Sequence, residues 1–161
     1  MKVIIISGTP GTGKTRLAKK LAEKIKFKYV DVAKLIKEKN ISEGYDKKRK
    51  CDVVEIKRLN KELVKVIYES KCKGLIIDSH LSHYLAKKYV DLCIITKCEL
   101  KELKKRLMAK RYSRGKIKEN LDSEIFDVCL NEAAENKHNI HIVETSKRVK
   151  YKEIISKIKE S

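Results

Sequence analysis

A short run of β-branched residues, Lys2 to Ser7 (KVIIIS), leads directly into Gly8-Thr9-Pro10-Gly11-Thr12-Gly13-Lys14-Thr15. The octapeptide satisfies G-x-x-x-x-G-K-[ST], the phosphate-binding P-loop, which carries its meaning only between a strand and a helix. That setting is present, because Arg16 to Ile25 puts Leu17, Ala18, Leu21, Ala22 and Ile25 on one helical face. Glycine permits positive φ and lets backbone approach a phosphate closely. The free N–H groups that open the helix, with the helix dipole behind them, face the anion. Lys14 adds a point charge toward the β- and γ-phosphates, and the Thr15 hydroxyl is a candidate Mg²⁺ ligand. A nucleotide is the expected ligand.

The remainder of the chain repeats the alternation. Strands are expected at Lys28–Asp31, Gly74–Asp78, Val90–Thr96 and Ile140–Glu144. Helical spacing joins Ile56, Leu59, Leu63, Val66 and Ile67, then Leu100, Leu103 and Leu107. It recurs at Ile117, Leu121, Ile125 and Val128, and at Ile154, Ile155 and Ile158. Gly74 reads as the end of the helix before it. Apolar strands separated by helices predict an α/β, three-layer fold with a five-stranded parallel sheet, whose ligands sit at the strands' carboxyl ends. The 161 residues suit a single domain. Two polar excursions interrupt the pattern: residues 40–55, with a turn expected at Glu43-Gly44-Tyr45-Asp46, and residues 109–116, a basic hinge between helices. Such excursions at a nucleotide-binding edge are where substrate clamps and lids are found.

Composition narrows the classes. Five cysteines without a C-x-x-C pair argue against a zinc site or a disulfide framework, and Cys93 and Cys129 read as small buried hydrophobes. The apolar run at residues 3–6 is too short for a signal peptide core or a membrane span, which predicts a soluble, cytoplasmic protein, monomeric by default. The net charge of +18 favours anionic partners. Lysine and glutamate enrichment without glutamine is equally a mark of thermal adaptation, and composition leaves both explanations open.

Asp78 leaves a strand expected to lie beside the P-loop strand, where a carboxylate holds Mg²⁺ directly or through water; a helix N-cap is the plainer alternative. His80, two residues on, is a candidate for orienting water or touching phosphate. His83, His138 and His141 have spacing that suits no metal site. From Lys97 to Asn120 there are ten basic and three acidic residues, among them Arg106, Lys110, Arg111, Arg114 and Lys116. Cations closing from a lid stabilise charge on a transferring phosphoryl group. No catalytic base for an alcohol acceptor stands out. A phosphate acceptor needs none, which favours a nucleoside monophosphate.

Taken together, the P-loop, Gly44-Tyr45-Asp46, Asp78-Ser79-His80 and Arg111-Tyr112-Ser113 with Lys116-Ile117 and Glu119-Asn120 resemble the adenylate kinase isoenzyme 6 family. The likeness runs on through Glu124-Ile125-Phe126 to Ser146-Lys147. It implies the nucleoside monophosphate kinase fold, ATP and AMP as substrates, and Mg²⁺ at Thr15 and Asp78. Gly8, Gly11, Gly13, Lys14, Thr15 and Arg16 would cradle the ATP phosphates, and Lys147 would lie near the adenine or ribose. Residues about 32–50 would bind the monophosphate and about 109–119 would form the lid. Asp78 and His80 would match a Walker-B-like motif tied to ATPase activity. Catalytic roles would fall to Lys14, Asp78, His80 and Arg111. The family is linked to small ribosomal subunit maturation, with a ribosomal protein and rRNA as partners, so an ATPase assembly factor is the alternative reading. Where the family has Arg-Gly-Tyr in the lid, this chain has Lys110-Arg111-Tyr112, so either Lys110 or Arg111 takes the arginine's place on ATP. Lys37 stands where an acceptor-phosphate arginine is expected, and Lys47-Lys48-Arg49-Lys50 make a loop basic that is acidic in some relatives.

Overall fold

The structure, a computed structural model, describes residues 1–46 and 51–161. Its centre is β1 (Lys2–Ser7), whose side chains alternate between two buried layers. Val3 and Ile5 pack on one face with Val32, Leu59, Leu63 and Leu85. Ile4 and Ile6 pack on the other with Leu17, Leu21, Ile154 and Ile158. A strand buried on both faces has no polar side, which is why its sequence reads as an unbroken apolar run.

Around β1 the elements follow in order: α1 (Lys14–Ile25), β2 (Lys28–Asp31), α2 (Val32–Glu38), β3 (Ser42–Asp46) and β4 (Cys51–Val54). Next come α3 (Ile56–Glu69), β5 (Gly74–Asp78), two 3₁₀ turns (Ser82–Tyr84 and Lys87–Tyr89) and β6 (Leu92–Lys97). The chain closes with α4 (Leu100–Ala109), α5 (Arg114–Ile125), α6 (Val128–Glu135), β7 (Ile140–Glu144) and α7 (Tyr151–Glu160). Five parallel strands lie in the order β2-β5-β1-β6-β7. The expected three-layer α/β architecture is therefore the observed one, with helices on both faces. Among the described residues, no helix is long and apolar enough to cross a membrane.

Three local expectations need correction. The segment 42–46 is no turn but strand β3, antiparallel to β4, with an irregular register between Ser42 and Gly44. The periodic run from Ile117 to Val128 is two helices, because Asp127 takes a left-handed conformation at φ 52° and breaks the helix there. Gly74 opens β5 rather than capping α3, which has already ended at Glu69. Asp78 ends β5 as expected, with its carboxylate accepting from Tyr29, and the alternative of a helix N-cap falls away. The basic run 47–50 lies outside the described residues.

Candidate nucleotide site

The site begins where β1 stops. Gly8 has φ +139°, and a Cβ built on it would stand 2.4 Å from Thr96 Oγ1 and 2.6 Å from the Thr96 carbonyl. Only glycine lets the loop leave β1 this close to β6. At Gly11, a Cβ would meet Leu107 Cδ2 at 2.9 Å and Leu103 Cδ1 at 3.0 Å, so α4 rests directly on the loop. Gly13 is the N-cap of α1 and offers no side-chain cap. The first N–H groups of α1 are left for an anion.

Lys14 Nζ donates to the carbonyls of Gly8 and Thr9 at 2.8 and 2.9 Å, which folds the side chain across the loop. Its pKa is lowered from 10.5 to about 8, first by burial, against the opposing pull of Asp78. Asp78 is buried at the end of β5, in register with Ile6 of β1. Tyr29 donates its hydroxyl to Asp78 Oδ2 at 3.0 Å. Burial and then Asp78 hold the Tyr29 phenol above its ordinary pKa, so it stays a donor.

A cavity of about 1070 Å³ opens over the loop. Gly11, Gly13, Lys14, Thr15 and Arg16 line it from the P-loop side, and His80, Lys110 and Lys147 line it from elsewhere. Gly8, Asp78 and Arg111 are not among its lining residues; Gly8 directly follows β1 and Asp78 ends β5. Arg106 is a second firmly held cation of the cavity. Its guanidinium bonds Thr145 Oγ1 (3.3 Å), the Thr145 carbonyl (3.1 Å) and Glu102 Oε1 (3.0 Å). His80 is exposed at the wall, yet its pKa falls from 6.5 to about 4, first through crowding and then through the charge of Lys14. Solvent at the ring tempers that depression, but the imidazole is neutral near pH 7 in either case.

The α4–α5 connection distinguishes Lys110 from Arg111. Arg111 sits at φ +54°, the left-handed conformation that ends a helix and normally belongs to glycine. Lys110, the residue before it, is the one of the two that lines the cavity. Tyr112 packs against the cluster of Cys98, Leu103 and Leu107, with the ammonium of Lys116 4.2 Å from its ring centroid.

His83, whose spacing suits no metal site, has a structural place. His83, 1% exposed, bonds Ser7 Oγ at 2.7 Å through Nδ1 and Glu132 Oε2 at 2.8 Å through Nε2. Burial lowers its pKa against the pull of Glu132, so the ring is neutral. A carboxylate only accepts, so the proton sits on Nε2 and Nδ1 accepts from the Ser7 hydroxyl. The residue that introduces the P-loop is thus tied to α6. Cys93 and Cys129 are buried, and burial pushes the Cys93 thiol up to about 12.

Similarity searches agree with this geometry. The family model described as an AAA domain matches residues 4–127. The adenylate kinase isoenzyme 6 homolog of Caenorhabditis elegans is 32% identical over 83% of this chain and 72% of its own length. The homolog of the same name from Dictyostelium discoideum is 34% identical over 81% and 73%. The chain belongs to the adenylate kinase isoenzyme 6 family. Among solved structures, shikimate kinase from Bacteroides thetaiotaomicron superposes with a TM-score of 0.57. It covers 99% of this chain and 95% of its own at 14% identity, which speaks for the P-loop kinase fold alone.

Proposed function

We propose that this family member transfers the γ-phosphoryl group of Mg-ATP to a nucleoside monophosphate, with AMP the leading acceptor and two ADP the product. One observation carries the reading. The uncapped start of α1, Lys14, Arg106 and Lys110 all converge on a single cavity at the carboxyl end of the central strand. Phosphoryl transfer asks little covalent chemistry of a protein and much positioning and charge stabilisation. The N–H groups of the loop hold the phosphates, while Lys14 exchanges its carbonyl partners for phosphate oxygens. Arg106 is already oriented by Thr145 and Glu102, and Lys110 approaches from the α4–α5 connection, the proposed lid at about 109–119. Lys147, exposed at the cavity rim, serves the base or ribose. The monophosphate is assigned to the segment about 32–50, where Lys37 is exposed on α2.

Mg²⁺ suits the donor set, since the groups on offer beneath the phosphates are a hydroxyl and a carboxylate. Thr15 and Asp78 would hold it, directly or through water, and when bound it neutralises charge on the β- and γ-phosphate oxygens.

The reading is tested by ADP formation from Mg-ATP with and without AMP. Strong dependence on AMP is expected. Lys14→Ala should lower turnover by about 10²-fold or more while keeping the thermal midpoint; normal activity in that variant would remove the P-loop from the chemistry.

A second reading rests on His80, a neutral imidazole at the cavity wall within reach of the Lys14 charge. It supports orientation of an attacking water, hence ATP hydrolysis, with a small-subunit ribosomal protein and rRNA as the partners that the family resemblance implies. Slow turnover indifferent to AMP would favour it.

A further inference from the structure

Tyr29 is the one aromatic hydroxyl bonded to Asp78 among the described residues, and the fold accounts for its position. Strand β2 pairs with β5 so that Tyr29 stands opposite Ile76 and Asp31 opposite Asp78. Side chains alternate along a strand, so Tyr29, Ile76 and Asp78 share one face of the sheet. That face carries α1, because Tyr29 packs with Ile4, Ile6, Leu17 and Leu21. Its hydroxyl reaches Asp78 Oδ2 at 3.0 Å, on the face of the sheet that α1 covers. Lys19 of α1 sets its ammonium 5.6 Å from the ring centroid. The ring is thus held between α1 and β5, with its oxygen on the carboxylate assigned to the cation.

We propose that Tyr29 is a positioning residue for the divalent cation, fixing the orientation of the Asp78 carboxylate. The proposal rests on the reading of Thr15 and Asp78 given above. A carboxylate alone turns freely about its Cβ–Cγ bond. One donor bound to Oδ2 fixes that rotation and leaves Oδ1 for the cation or its water. Partners of this outer kind are worth about 10- to 100-fold in metal affinity.

The experiment is a Mn²⁺ titration followed by electron paramagnetic resonance, on the full chain with a non-hydrolysable ATP analogue. Tyr29→Phe keeps the ring, its packing and its contact with Lys19 and removes only the oxygen. The expected result is about a 10-fold weaker Mn²⁺ affinity of the protein–nucleotide complex, with affinity for the metal-free analogue unchanged. Lys19→Ala, which touches the ring but neither oxygen donor, should behave as the parent. Wild-type Mn²⁺ affinity in Tyr29→Phe alongside a loss in Asp78→Asn would overturn the proposal and spare the metal reading. An equal loss in Lys19→Ala would also overturn it, by assigning the effect to packing. If Asp78→Asn binds Mn²⁺ as the parent does, the metal reading fails and the proposal falls with it.

Discussion

The floor and the cover of the cavity are built to different standards. Under the loop, Val3, Ile4, Ile5 and Ile6 are at most 3% exposed, and each faces a continuous layer of aliphatic side chains. Over the loop, α4 and α5 share a cluster whose buried members are Cys98, Leu103 and Leu107, with Tyr112, Ile117 and Leu121 only partly covered. Next to that cluster, Met108, Ile125 and Phe126 are exposed. Stability is not uniform within a fold, and elements with few buried apolar partners open at lower cost. The comparison fits the division of labour proposed above: a floor rigid enough to fix phosphates and a cover with little apolar burial to oppose opening.

The largest expected effect tests that division directly. Ile5→Ala removes a fully buried side chain from the centre of the sheet and should cost about 4 kcal/mol of unfolding free energy. Leu103→Ala should cost only about 2 kcal/mol, because the smaller cluster can relax around the lost atoms. Urea unfolding of both variants measures the difference. Equal losses would mean that cover and floor form one cooperative block.

How far the division was legible in the sequence depends on what holds each part. The floor could be read because a parallel strand buried on both faces leaves a run such as KVIIIS or GLIID, with the P-loop fixed to the end of one of them. The cover was harder. The helical spacing of Ile117, Leu121, Ile125 and Val128 continues across Asp127, whose positive φ no apolar pattern records. That corner is held instead by Lys97, which bonds Asp127 Oδ1 at 2.6 Å and Glu124 Oε1 at 3.0 Å from a distant strand. Short α2 passed unseen because seven residues with two buried positions make too little periodicity. Strand β3 was missed because Ser42-Glu43-Gly44 carries no alternation of apolar and polar residues. The bonds of His83 left no local signal, because its partners Ser7 and Glu132 lie 76 and 49 residues away along the chain.

The next effect sharpens the electrostatic side of the floor. Lys14 has a pKa near 8 before any phosphate arrives, and a bound polyphosphate favours its charged form. Below pH 8 the ammonium is present and binding gains its full contribution. Above pH 8 a proton must be taken up on binding, so the Kd for ATP should rise with pH, by at most about tenfold per unit. Equilibrium titration with a fluorescent ATP analogue between pH 7 and 9.5 measures the slope. Lys14→Arg, whose side chain does not titrate in this range, should flatten it.

The smallest effect concerns the cover alone. Arg111 holds a left-handed conformation that costs a residue with a Cβ about 1–2 kcal/mol. Glycine at the same position would escape that cost but lose more chain entropy on folding, about 0.5–1 kcal/mol. The two contributions partly cancel, so Arg111→Gly should stabilise the protein by less than about 1 kcal/mol in urea unfolding. Its affinity for ATP should change little, because Arg111 is exposed and does not line the cavity. Lys110→Ala, one residue earlier, should do the reverse, weakening ATP binding while leaving stability almost unchanged. If Arg111→Gly instead weakens ATP binding as much as Lys110→Ala does, the guanidinium reaches the nucleotide when the cover closes, and the cover moves further than its contacts with the loop suggest.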